Sequence, residues 1–515
     1  MRAVHLVPAG VALVALGAIG GVAQLGHPAA APRPVSSPAA IRQVPVTSAA
    51  RACPPAPGGG AAPVAVLGGP SGDASATGKG QPTETGQVEL TALPPVGPQV
   101  RAASPVRAQS PGALSLLTLP AATTASKKST QAAQGWSVAG GGAMAQGLEA
   151  ELTQGSGLAS VRCAEPGSDL WFIGPGQQNG GSQIQLDLMN VDSTATSVDV
   201  SVINDGGQAQ AGNDNGITVP PHQTVTESLS SVAHGSSVLA IEVHTTIGRV
   251  AADVSVASQG TSGWLPGTAP PSTQLVIPGV PPSGSTAGLF VADPGSSTAK
   301  VTVTAITPQG HIRPFGSQSV DLPGQSASYV ALSPLGGTTA ALQITSNVPV
   351  VAAVLVPGSG PGVLTAATAP ISEKAVVAGN TSGGGMAASV VLSAPGAPAR
   401  VRLTEIAPAS QGGANGTGSS VTASQVISVK AGRTLAAPVK APKGAKRDSA
   451  FAVVITPLPG SGPLYAARVE TQGQNTVVSI IPAASALVTI SLPPVRDSYD
   501  AISPQGGTGG RAAPP

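Results

Sequence analysis

Three stretches of the chain alternate apolar and polar residues at a step of two. Val198, Val200 and Val202 are separated by Asp199 and Ser201. Val301 and Val303 lie among Lys300, Thr302 and Thr304, and Val401 and Leu403 lie among Arg400, Arg402 and Thr404. A strand turns successive side chains to opposite faces, so this spacing predicts half-buried antiparallel strands with the aliphatic residues inward. Pro294-Gly295 and Pro395-Gly396 precede two of these strands and Asp192-Ser193 precedes the other, all residues suited to tight turns.

Other landmarks recur with them. Short apolar runs stopped by Gly or Pro lie at 64–69, 170–174, 274–279 and 374–379. Strands that end at a turn follow at 117–120, 217–221, 320–324 and 427–432. The period is about 100 residues. The third unit shows the pattern best, with strands expected at 274–279, 286–293, 299–307, 316–322, 326–332, 339–346 and 348–356. Short strands at that density fit an immunoglobulin-like or fibronectin-like β-sandwich. A propeller blade repeats at ~40–50 residues and has four strands, which fits less well. The expectation is an all-β chain of tandem sandwich modules at 53–165, 166–266, 272–360 and 372–492, with a disordered tail at 493–515. The first module matches least. Its 121–134 stretch reads as a loop, and 143–152 reads as a short helix.

The N-terminus sets the expected compartment. Arg2 precedes an uncharged run at 6–26, the form of a signal anchor or of a signal peptide cut after Ala23. The retained anchor is favoured, with a cytoplasmic N-terminus and an exported body. Residues 27–52 are rich in Pro, Ala and Ser and read as an extended linker.

Composition narrows the classes. The chain has 515 residues, 67 Gly, 51 Pro, 41% hydrophobic and 9% charged residues. Disordered chains invert the last two figures, so many short strands joined by Gly/Pro turns is the better reading. The formal net charge is +2, with no basic stripe, which argues against nucleic acid as a partner. The two cysteines, Cys53 and Cys163, are expected to form a disulfide in an exported chain. Closing that loop stabilises by roughly 4–5 kcal/mol on chain-entropy grounds.

Catalytic and metal patterns are missing from the sequence. No G-x-S-x-G elbow, P-loop, CxxC or HExxH occurs. Ser297 and Lys300 fit S-x-x-K but open a predicted strand, without partner motifs. The six histidines are scattered, and Asn204, Asp205, Asn213, Asp214 and Asn215 suit turns better than calcium. Neither cofactor, metal nor enzymatic activity is expected. With few aromatics, Trp264 between the second and third modules is the best candidate for a surface contact, and a plug in that joint is the preferred reading of it.

The anchor, Cys53, Cys163 followed by residues 169–174, and the sandwich repeats together resemble the actinobacterial domain-of-unknown-function family 5719, over most of 50–490. The resemblance implies an actinobacterial envelope location and carries no activity. The first functional expectation is a membrane-tethered envelope scaffold, a rod of sandwiches presented to another envelope protein. The second is an accessory binder of cell-wall polysaccharide, and an enzyme is the weakest reading.

Overall fold

In the computed structural model the described residues run from 42 to 492, apart from internal stretches of which 70–84, 125–133 and 409–420 are the longest. The apolar run at 6–26 and the tail at 493–515 lie outside them. No helix among the described residues is long and apolar enough to cross a membrane. Arg42–Pro45 pairs with Thr489–Leu492, and Gln43 Nε2 donates to Ser491 Oγ at 2.7 Å. Residues 45–490 make one compact unit.

That unit is four β-sandwiches of one topology. In the second sandwich the strands, counted first to eighth, are Asp169–Pro175, Ser182–Met189, Thr196–Asn204, Ile217–Val219, Thr224–Ser228, Val238–Ile247, Ala251–Ser258 and Thr261–Leu265. One sheet runs first–sixth–third–fourth, and the facing sheet runs fifth–second–seventh–eighth. The first sandwich repeats this order with Ser48–Cys53, Ala62–Leu67, Gly86–Leu93, Val106–Ala108, Ser115–Leu119, Gly135–Gly142, Glu149–Gln154 and Ala159–Arg162. The fourth repeats it with Lys374–Asn380, Met386–Ala394, Ala399–Ile406, Thr422–Val429, Arg433–Val439, Phe451–Pro457, Tyr465–Gln472 and Thr476–Pro482. In the immunoglobulin order the second strand lies between the first and fifth. Here it lies between the fifth and seventh, so the sandwich architecture is shared while the strand order is the repeat's own.

The third sandwich has Ser272–Val280, Ala287–Asp293, Ala299–Ile306, Val320–Leu322 and Ser326–Leu332, and ends with Val363–Ala366. Its expected sixth and seventh strands are one continuous strand, Ala340–Val356. The first half pairs with Ala299–Ile306 in one sheet, and the second half pairs with Ala287–Asp293 in the other.

Three details of the first sandwich differ from the sequence reading. Ser48–Cys53, assigned to the linker, is its first strand, so the run at 64–69 begins in the second strand and that at 117–120 ends the fifth. Cys53 accordingly closes the first strand instead of preceding it. The expected helix at 143–152 is a 3-10 turn, Ala143–Ala145, followed by the strand Glu149–Gln154. Ala150 and Leu152 point into the core while Glu149 and Glu151 do not, a step of two that specifies a strand.

Each sandwich interior is filled by small aliphatics, such as Ile184, Leu186, Val198, Val200, Ile241 and Val254 in the second. Burying each Val, Ile or Leu contributes about 1.5–3 kcal/mol. After every eighth strand the chain returns to the first. Ala164 bridges Ala52, Gly267–Thr268 pairs with Trp171 and Phe172, Thr368 bridges Val276, and Ser485–Ala486 pairs with Lys374 and Ala375. The links into the second, third and fourth sandwiches are thus pinned by backbone hydrogen bonds before the next sandwich begins.

The outward sheet faces form a second set of apolar contacts. Ala52 and Leu93 of the first sandwich meet Met189 and Ala251 of the second. Trp171, Ile173, Ile203, Val238 and Ala240 of the second meet Phe290, Ala292, Ala327, Val351 and Ala353 of the third. The third sandwich's cluster extends onto Val391, Ala467, Val469, Val477 and Ile480 of the fourth. Finally Val376, Ala378, Ile406, Ala452 and Val454 of the fourth meet Ala65, Leu67 and Leu114 of the first. Every joint places the first–sixth–third sheet of one sandwich on the fifth–second–seventh sheet of the next, and the fourth returns to the first. Head-to-tail contacts of this kind close when the rotations sum to a full turn. In place of the expected rod, the sandwiches form a closed circuit.

Candidate functional site

Charge is sparse in this chain, yet a large share of the buried polar groups are ionisable and sit at the joints. Arg51, Glu149, Glu151, Asp187, Asp253, Lys374, Arg468 and Glu470 are all buried. A buried charge is costly unless it is paired and hydrogen-bonded, so these groups report where the fold has arranged partners.

At the joint between the fourth and first sandwiches, Glu151 accepts hydrogen bonds from Arg468 Nη1 and, at 3.0 Å, from the Gly379 N–H. Arg468 also donates to the Gly379 carbonyl and to Ser479 Oγ, both at 2.7 Å. Glu470 is 3.8 Å from Arg468 and accepts the Thr381 N–H at 2.6 Å. Burial pushes the Glu470 carboxyl up, and Arg468 opposes that shift. Lys374 donates to the Gly69 carbonyl at 3.2 Å, and burial lowers its ammonium to about 8.

At the joint between the first and second sandwiches, Arg162 donates to Glu149 through Nε at 2.7 Å and through Nη2. Arg51 pairs with Glu149 at 3.2 Å and with Glu165 at 3.3 Å. From the second sandwich Asp253 acts on Arg162, and Asp187 stands opposite Asp253 on the neighbouring strand. Trp264, opposite Ser255 on the neighbouring strand, is half-buried and packs on the first sandwich's core. Trp264, expected between the second and third modules, instead lies in the eighth strand of the second sandwich, and its indole joins that sandwich to the first.

The outside of the circuit offers a different feature. Thr422–Val429, the fourth strand of the fourth sandwich, is paired along its length with Ala399–Ile406 and ends its sheet. The equivalent strands, Val106–Ala108, Ile217–Val219 and Val320–Leu322, are three residues each. Native sheets protect their edges with short strands, charge or Pro. Thr422–Val429 is long, uncharged and largely exposed, and Val426 is 51% exposed. Such an edge can take an extended peptide by backbone hydrogen bonding.

The residues singled out by the sequence are dispersed. Cys53 and Cys163 are joined in a disulfide, both fully buried. Lys300 is exposed, with its backbone N–H bound to Asn347 Oδ1 at 2.6 Å. Asn204 accepts the Gly206 N–H within its turn, and Asp205 accepts from Ser237 N–H and Oγ, which ties that turn to the segment before the sixth strand. Asn213, Asp214 and Asn215 lie outside the described residues. His222 occupies an exposed turn at φ 52°. Among the described residues no group of three or more His, Cys, Asp or Glu is placed to hold a metal ion.

Sequence reasoning missed Glu151, Arg468, Asp187 and Asp253. The available signal was a charged residue on a strand whose neighbours are otherwise apolar, as in Ala466-Ala467-Arg468-Val469. A family model described as a family of unknown function, DUF5719, matches residues 118–440. No curated protein matches the chain.

Proposed function

Since the chain belongs to a family of unknown function, DUF5719, we propose a role from its own physics: an exported, membrane-tethered, non-enzymatic protein that holds a closed circuit of sandwiches before a protein partner. The observation that carries the reading is the buried Cys53–Cys163 disulfide, because such bonds form and persist in oxidising compartments. The apolar run at 6–26 behind a cationic residue supplies the tether. Glu151 and Arg468 are tied to one another across a joint, and Lys374 binds across the same joint to the Gly69 carbonyl, which favours a structural use of these groups over catalysis. The exposed Thr422–Val429 edge is the surface best suited to a partner's extended, uncharged segment.

The test is made on intact cells producing the full chain. Protease added outside should cleave the body, and a thiol probe should label Cys53 and Cys163 only after reduction. A protected body with both thiols free would refute the export reading.

A further inference from the structure

The joint between the first and second sandwiches contains an acid pair that the proposed role does not use. Asp187 and Asp253 stand directly opposite one another on the antiparallel strands Ser182–Met189 and Ala251–Ser258. Directly opposed residues have β-carbons about 4.5–5.5 Å apart, and like charges there repel. Leu186, Leu188, Ala252 and Val254 fill the second sandwich's core, so the two acids face the other way, into the joint. On the same face Met189 and Ala251 are sealed against Ala52 and Leu93 of the first sandwich. Both acids are about 95% buried, from exposures of 4% and 5%.

Their partners are few. Thr226 Oγ1 donates to Asp187 Oδ1 at 2.6 Å, while Asp253 Oδ2 has no hydrogen-bond partner. From the first sandwich, Arg162 acts on Asp253, but it is already bound to Glu149. Glu165 acts on Arg162 and pairs with Arg51, which also pairs with Glu149. Glu89, on the third strand of the first sandwich, is committed to Arg107 at 2.9 Å. Glu227, beside Thr226, is opposite Leu186 and lies on the other face. Lys374 acts on Glu149 and Arg249 on Glu165 from the edges of the cluster. Arg162 is bound to Glu149, Arg51 to Glu149 and Glu165, Arg249 to Asp192 and Lys374 to the Gly69 carbonyl, so ionising both aspartates adds two negative charges to a joint whose cations are already committed.

We infer that this joint is a proton-gated hinge: the first two sandwiches are sealed while the Asp187–Asp253 pair keeps its protons, and they loosen there when it ionises. Burial acts in the matching direction, pushing Asp187 up to about 6 and Asp253 well above the ordinary carboxylate range. The two titrate as a coupled pair. An acid whose proton is held more tightly in the folded chain contributes its stability fully below the unfolded value near 3.8, and loses it as pH rises through about 6. The seal is thus tightest in acid and weakens toward neutrality and above.

Hydrogen exchange on the full, disulfide-intact chain tests this, with rates corrected for intrinsic pH dependence. The reporters are the cross-joint bonds Thr224 N–H to Pro94 O and Val96 N–H to Thr224 O. Their protection should fall at least tenfold between pH 5 and pH 8. The Thr434 N–H to Thr307 O bond, at the joint of the third and fourth sandwiches, should not respond. Asp187→Asn with Asp253→Asn should abolish the pH response and keep the joint closed. Asp253→Asn alone should shrink it, which serves if the double variant does not fold. Flat protection in the parent chain, an equal loss at both joints, or a full response in either variant would overturn the inference.

Discussion

Glu151 and Arg468 form a buried ion pair although 317 positions separate them in the chain. The first belongs to the first sandwich and the second to the fourth. Their contact, with the Gly379 backbone between them, is where the circuit closes. Truncating one partner of such a pair leaves the other charged and unpaired in a dry site, which costs about 3–5 kcal/mol. Glu151→Ala should lower stability by that order in urea unfolding, and it should expose the first and fourth sandwiches to exchange before the second and third.

Gly147 makes the same joint possible. Its φ is +62°, and a β-carbon there would lie 2.1 Å from Lys374 Cε. Gly147→Ala should cost about 1–3 kcal/mol from backbone strain, with displacement of a buried lysine in addition. Gly141, with open space around its missing β-carbon, is the control. Gly141→Ala should stay within about 0.5 kcal/mol by the same denaturant titration.

Phe290 sits at the joint of the second and third sandwiches, buried, with its ring centroid 5.4 Å from that of Tyr329. Phe290→Ala should cost about 3–5 kcal/mol. Tyr329→Ala should cost less, because that side chain is 45% exposed. A reversed order in thermal unfolding would contradict the assignment of Phe290 to a joint.

The disulfide ties the first strand of the first sandwich to the residue after its eighth, across 110 positions. Replacing both cysteines by alanine should cost up to roughly 4–5 kcal/mol, since the loss acts mainly on the unfolded chain. Thermal unfolding with and without reductant reads this directly. Reductant should shift the parent chain and leave the double variant unmoved.

Val426 lies on the exposed edge strand and packs in no core cluster. Val426→Lys should change stability by no more than about 0.5 kcal/mol, yet block strand addition there, because a charged edge resists pairing. Unchanged capture of a partner segment by this variant would move the docking surface elsewhere.

The sandwich class was readable because valine alternation at step two leaves few alternatives, and the three alternating strands are the third strands of three sandwiches. Ser48–Cys53 was not readable. Its sequence, Ser-Ala-Ala-Arg-Ala-Cys, has no β-branched residue, and pairing with Gly135–Gly142 makes it a strand. Closure of the circuit left a subtler trace. Residues 375–378 and 451–455 are apolar at every position, whereas a strand with one face in water alternates. In an open rod one face of those strands would be wet. Instead Val376, Ala378, Ala452 and Val454 are covered by the first sandwich. For Glu151 and Arg468 the local trace, a charge among apolar neighbours, marks a buried ion but not its partner, because each residue satisfies the other only after the ends of the circuit meet.

A double-mutant cycle on Glu151→Gln and Arg468→Met, read by urea unfolding of the full chain, tests closure most directly. Residues further apart than about 7–10 Å add within ~0.5 kcal/mol, while contacting pairs couple by up to about 3 kcal/mol. A closed circuit predicts coupling of at least about 1 kcal/mol, with the double variant less damaged than the sum of the singles. Simple additivity would mean that the first and fourth sandwiches do not touch.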